Sequence, residues 1–211
     1  LKNLFPIKSW NILNLKIILN LYIIFALICI QGVVGWYMVT SGLVERVDVS
    51  HFRLSIHLLI AFLILSSIYW NYLKIKKFSL YSKKINPIIP FIFLILIYIQ
   101  IVIGAFVSGM DAGKIYNSWP LMGNTYFPND NSFSNLFMLS AFSDQSLVQF
   151  LHRNLAYLIG LFYMFILYRV YINKMTGLYK SIGILGLFIF LQIILGIFTI
   201  IYGAHIYICL L

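Results

Sequence analysis

An all-α integral membrane bundle is the fold class this sequence predicts. Of the 211 residues, 62% are apolar and 9% charged, and mean hydropathy is +0.96. A soluble domain of this length must wet its outer face and has no use for so much apolar surface, whereas a lipid-facing exterior removes that demand. Five apolar stretches are each long enough to cross about 30 Å of hydrocarbon as a helix, which takes roughly 20 residues. The basic residues gather between these stretches, mostly on one side.

The first span is expected near Ile17–Met38, behind a tail carrying Lys2, Lys8 and Lys16. That apolar run is too long for the h-region of a cleaved signal peptide. A short loop with Glu45 and Asp48 leads to a second span near Leu54–Leu73, followed by Lys74, Lys76, Lys77, Lys83 and Lys84. The third span, near Ile88–Val107, opens into a long loop, Gly109–Leu147, that holds Asp111, Asp130 and Asp144. A fourth span near Leu147–Tyr168 is followed by Arg169, Lys174 and Lys180, and a fifth lies near Ile182–Tyr202. Ala204–Leu211 reads as the opening turns of a sixth helix, and the initial Leu1 adds to the expectation that the chain is a piece of a longer protein.

Eleven of the fifteen Lys and Arg residues fall on one side of this arrangement and all five acidic residues on the other. The positive-inside rule then places the amino terminus and the Lys-rich loops inside, and the acidic loops in the periplasm or an equivalent space. The net charge of +10 is topological and not the mark of a nucleic-acid face. Cys29 and Cys209 lie in or beside apolar runs, which predicts buried, inert thiols in place of a disulfide framework. The aromatic residues read as interfacial belts and packing.

Three spans share a pattern at their outer ends: Gln31-Gly-Val-Val-Gly35, Gln100-Ile-Val-Ile-Gly104 and Gln192-Ile-Ile-Leu-Gly196. A glycine one turn from a buried amide lets two helices, or a helix and a flat ligand, approach closely. Any single copy fits ordinary small-residue packing. Three at one depth on alternate helices suggest a duplicated helix-pair unit, an architecture that often binds ligands between repeats.

The first two copies each precede a helix with a histidine near its outer end. His57 sits in Arg53-Leu-Ser-Ile-His57, and His152 in Gln149-Phe-Leu-His152-Arg153. Ionisable groups within a span are expensive and usually functional. Arg53 and His57, four residues apart, share a helix face, while Arg153 points about 100° around the helix from His152. A neutral imidazole at this depth can ligate haem iron, and an arginine nearer the water can pair with a propionate. A histidine bonded to a neighbouring helix and an arginine that snorkels to the interface are the simpler alternatives. His51 and His205 are expected to be non-ligands. Zinc is disfavoured because no Cys or carboxylate stands at ligand spacing around either intramembrane histidine. Nothing resembles a phosphate-binding glycine loop or a Ser-His-Asp set. The long loop, with Tyr116, Trp119 and Pro120 at its centre, fits either a lid over a membrane site or an interfacial connector anchored by its aromatics.

At these residues the sequence resembles the haem A synthase family. Gln31–Leu43 with Val49–Leu58 resembles the family's third-to-fourth helix region, and Gly104–Met122 its fifth helix and outer loop. Gln149–Tyr157 resembles the start of its sixth helix and Gln192–Tyr202 the end of its seventh. The resemblance implies an eight-helix parent of two four-helix repeats, residues 1–75 closing a substrate-haem half and 85–211 forming most of a cofactor-haem half. It implies that the C8 methyl of haem O is oxidised to the formyl of haem A, for cytochrome oxidase, with haem b as cofactor. His57 would be the catalytic-side ligand to haem O iron and His152 the ligand to haem b iron, with Arg53 and Arg153 on propionates.

The implied partners are an electron donor such as ferredoxin, haem O synthase, the lipid bilayer and a second copy of the chain. The implied setting is the bacterial inner membrane, or the mitochondrial inner membrane in a eukaryote. The family's first two helices, with a histidine and a nearby glutamate, are absent here, as is its eighth helix. His205 stands where the family usually has proline. Each haem would keep one axial ligand of two, so the piece alone is expected to be inactive. A non-catalytic haem-binding electron carrier or haem-handling protein, and a transporter using the histidines as proton relays, remain competing readings.

Overall fold

The computed structural model describes residues 7–40, 50–76 and 85–203. Within them lie five α-helices: α1 (Ile7–Thr40), α2 (His51–Ile75), α3 (Ile88–Gly109), α4 (Gln145–Ile172) and α5 (Tyr179–Ile201). Each is long and apolar enough to cross a membrane, so the all-α membrane class stands. Several helices outrun the apolar stretches that predict them. The α1 helix starts at Ile7 where the apolar run starts at Ile17, because backbone hydrogen bonding does not end at the edge of the hydrocarbon. The start of α4 is set by a cap: Asp144 accepts from the Leu147 amide at 3.0 Å, so the helix opens at Gln145.

The chain forms two compact units, residues 1–81 and 82–211. In the first, α1 and α2 pack as an antiparallel pair. Three side-chain contacts fix their direction: Asn20 to Asn71, Gln31 to His57, and Tyr37 to Arg53. The Asn20 amide donates to the buried Asn71 carbonyl at 2.8 Å. Lipid tails are as apolar as leucine, so helices of this kind are held by close packing and by such polar pairs, each worth about 0.6–2 kcal/mol. Cys29 is exposed on α1, against the expectation of a buried thiol. In a helix that crosses lipid an apolar side chain need not be covered by protein, so the burial argument from soluble proteins does not carry over. Cys209 and His205 lie outside the described residues.

In the second unit α3 and α4 pack closely, and α5 packs on α4. A cluster of Phe93, Ile159, Ile166, Val170 and Ile182 joins all three helices. A second cluster of Ile103, Phe106 and Val148 closes the outer end of the α3–α4 pair. The Tyr163 hydroxyl donates to the Ile182 carbonyl at 2.9 Å, its ring lying over Gly186 where any side chain would collide with it.

The long loop between α3 and α4 is folded, which composition alone did not indicate. It contains short 3-10 turns at Ala112–Lys114, Phe133–Phe137 and Leu139–Ser143 and a bridge between Met122 and Thr125. Met122 and Pro128 are buried within it.

Candidate functional site

His57 lies six residues into α2, and His152 seven residues into α4. At 1.5 Å per residue both imidazoles sit about 9–10 Å down their own helices. Each meets the Q-x-x-x-G stretch of the helix before it. Gln31 Nε2 is 3.0 Å from His57 Nε2. Gln100 Nε2 is 3.3 Å from His152 Nε2, and it also donates to the His152 carbonyl at 3.2 Å.

The glycine supplies the room. A Cβ on Gly35 would stand 3.1 Å from His57 Cε1, and one on Gly104 would stand 3.2 Å from His152 Cε1. In both pairs the ring therefore presses against backbone where a side chain would otherwise be. The pattern is an imidazole socket, with the amide addressing one edge of the ring and the glycine accommodating the other. On α3 the glutamine stands nine residues, and the glycine five, before the helix ends at Gly109, and Gln192 and Gly196 stand in the same register to Ile201 on α5. Gln31 and Gly35 keep the same four-residue spacing within α1. No described atom lies within 4 Å of a Cβ at Gly196.

Polar bookkeeping marks both sockets as unfinished. The Nδ1 atoms of His57 and His152, and the Oε1 atoms of Gln31 and Gln100, are buried without a hydrogen-bond partner among the described residues. An unsatisfied buried polar atom costs about 1–3 kcal/mol. Its occurrence at equivalent atoms in two sockets fits a site that receives another group. In both sockets the glutamine amide meets the ring at Nε2, and the proton's place on the ring depends on the tautomer. In either tautomer a neutral imidazole keeps one nitrogen that can ligate a metal.

The two arginines are placed differently. Arg53 lies at the outer end of the α1–α2 pair, its guanidinium carbon 4.5 Å from the centre of the Tyr37 ring and Nη2 3.4 Å from the Tyr37 hydroxyl. Arg153 is buried and turned into the long loop. Its Nη1 donates to the Ser118 and Leu121 carbonyls at 2.9 and 3.4 Å, and its Nη2 to the Tyr116 carbonyl at 2.8 Å. Gln149 Nε2 donates to the same Tyr116 carbonyl at 3.0 Å, and Trp119 Nε1 donates to the Tyr157 hydroxyl at 2.9 Å. One face of α4, formed by Gln149, Arg153 and Tyr157 at four-residue spacing, thus lashes residues 116–121 onto the helix that bears His152.

These lashing residues had a readable signal in that spacing, but sequence alone could not say what they grip. Tyr37 under Arg53 carried no signal at all. His51 opens α2 six residues before His57.

Comparison with known proteins matches the sequence of this chain to a known family. The profile of the cytochrome oxidase assembly protein family covers residues 7–211. The chain is 49% identical over 185 residues to a haem A synthase of Pelagibacter ubique, an alignment covering 88% of this chain and 54% of that protein. It is 37% identical over 201 residues to a haem A synthase of Rickettsia bellii, covering 93% and 60%. A haem A synthase of Flavobacterium johnsoniae is 35% identical over 191 residues, covering 86% and 55%. The chain therefore spans between half and two thirds of the length of these relatives. No solved structure matches it. With its sockets in the repeat that the family profile spans, the chain belongs to the cytochrome oxidase assembly protein family.

Proposed function

We propose that this chain is the ligand-bearing part of a membrane oxidoreductase that oxidises the C8 methyl of haem O to the formyl group of haem A. The observation that carries the reading is the pair of imidazole sockets, each holding one histidine about 9–10 Å down its own helix with a buried Nδ1 that has no partner among the described residues. One imidazole per socket suits an iron that already holds four porphyrin nitrogens. A bare metal ion asks for three or four protein donors.

In this reading His152 holds the iron of a haem b cofactor and His57 the iron of the haem O substrate. Haem b, when bound, supplies one-electron transfer. The chain's own contribution is placement. Gly35 and Gly104 set how closely the rings approach α1 and α3, and Gln31 and Gln100 orient the rings through their contacts with Nε2. Arg53, at the mouth of its hairpin, is the candidate partner for a propionate. The Arg153 guanidinium donates to three loop carbonyls, so its service to a propionate would be through the loop it holds in place. An electron donor such as ferredoxin, haem O synthase and a second copy of the chain are the proposed partners. The proposed setting is the bacterial inner membrane, with the Lys-rich loops cytoplasmic.

The test uses the complete protein. His152→Ala should remove the retained haem, while His57→Ala should keep it and abolish the formyl product, read from the red shift of the pyridine haemochrome. A wild-type protein that purifies colourless from cells with ample porphyrin would refute the haem reading. Retained haem with no formyl product from the wild type would leave a carrier and not an enzyme.

A further inference from the structure

We propose that residues 133–143 form a lipid seat: two 3-10 turns that lie within the outer leaflet and present apolar side chains to phospholipid acyl chains. This inference does not rest on the haem reading. It begins with depth. The Phe142 ring packs edge-on against Phe106 at 6.0 Å and belongs to the cluster of Ile103, Phe106 and Val148. Phe106 stands three residues inside the end of α3 and Ile103 six, so this contact lies about 4–9 Å below that end along the helix. Ala141 beside it is buried. The turn is therefore docked against the flank of the spans and does not float above them.

Its other side is apolar and uncovered among the described residues. Phe133 is 62% exposed, Phe137 78%, Met138 54% and Leu139 88%. Four large apolar groups within seven residues would be a costly patch in water, and facing acyl chains they cost nothing. Residues 131–143 contain no charged side chain, although Asp130 and Asp144 bound them on either side.

Part of the segment's polar inventory is satisfied locally, which lowers the cost of a shallow membrane position. Amides bond back three residues in succession: Asn135 to Ser132, Met138 to Asn135, Ala141 to Met138, and Asp144 to Ala141, at 3.0–3.3 Å. The Ser132 and Ser134 hydroxyls pair with each other at 2.9 Å, and the Asn135 amide donates to Asn131 at 3.2 Å. The first half of the loop, with Asp111, Lys114 and Asp130, is the polar portion.

The experiment places a nitroxide at Leu139→Cys in the complete protein, with Cys29→Ser and Cys209→Ser, in vesicles of phosphatidylcholine and phosphatidylglycerol. Asn124→Cys, exposed in the polar half, is the aqueous reference. Relaxation by oxygen, which concentrates in lipid, should exceed relaxation by a water-soluble nickel chelate several-fold at position 139, with the order reversed at 124. Dominance of the nickel chelate at 139 would overturn the seat. Exclusion of both reagents would also overturn it, by showing that protein covers the patch. Phe137→Cys gives the same reading should the 139 variant fail to fold.

Discussion

Replacing Gly104 by alanine tests the socket most directly, because it sets two effects of known sign against each other. Alanine in a helix interior is favoured over glycine by about 1 kcal/mol. Against this, the new methyl would stand 3.2 Å from His152 Cε1 and 3.7 Å from Nδ1. Carbon atoms rest at about 3.5–4.0 Å, so the ring must retreat by a few tenths of an ångström. Overpacking of this kind costs about 1–3 kcal/mol. The two terms nearly cancel in global stability, and thermal unfolding should shift little. Ligand placement has no such compensation, since a site must hold its groups within about 0.5 Å. Strain of about 1–2 kcal/mol borne by the loaded state corresponds to about 5–30-fold weaker haem retention. The assay is haem per protein after purification, by pyridine haemochrome, beside a melting curve followed by circular dichroism. Gly32→Ala is the control, because no described atom lies within 4 Å of its added methyl. The reasoning is wrong if Gly104→Ala keeps as much haem as Gly32→Ala.

The matching change on the other hairpin, Gly35→Ala, brings a methyl within 3.1 Å of His57 Cε1 and should depress formyl product while leaving retained haem intact. Arg153→Gln withdraws a charged donor from three loop carbonyls. At about 1.5–3 kcal/mol for a hydrogen bond to a charged group, amide exchange in residues 112–125 should accelerate at least tenfold, with exchange in α5 unchanged. Gly186→Ala would overlap the Tyr163 ring and break its bond to Ile182, for a loss of about 2–4 kcal/mol; the double variant with Tyr163→Leu should recover part of the melting temperature. Burial raises the Asp144 carboxyl, but the Leu147 amide, the Ser146 hydroxyl and the Asn131 amide outweigh it and hold the group below its usual value of 3.8. Its stabilisation is therefore complete above that value and lost as pH falls through the lower folded value. Asp144→Ala should cost about 1 kcal/mol at neutral pH, read from exchange at the first turn of α4, and the difference from wild type should vanish in strong acid.

The spans were legible because lipid imposes one simple demand, an uninterrupted apolar run, and all five helices meet it. The sockets were half legible. The repeated glutamine and glycine and the depth of the two histidines are visible in the sequence, but the meeting of the first set with the second depends on which face each helix turns to its neighbour. Periodicity cannot report this where every face is apolar. Arg153 shows the limit most clearly. The family resemblance implied a propionate contact for it, and its three acceptors here are main-chain carbonyls more than thirty residues away; a carbonyl is the same in every residue, so no side-chain pattern could announce them. Cys29, exposed among the described residues, shows a burial rule for aqueous proteins applied to a helix able to cross a membrane.

A ring seated in a glycine notch also acts as a gauge of sliding. Were α2 to slip one turn along α1, His57 would meet a different residue and lose both its amide and its recess; α4 on α3 is indexed the same way, and Tyr163 over Gly186 indexes α5 on α4. Each of these three helix pairs thus carries its own alignment mark within residues that the pair alone supplies. A hairpin emerging into the bilayer can find its correct offset before its neighbours arrive, and whatever it later grips will find the imidazole already at the proper height.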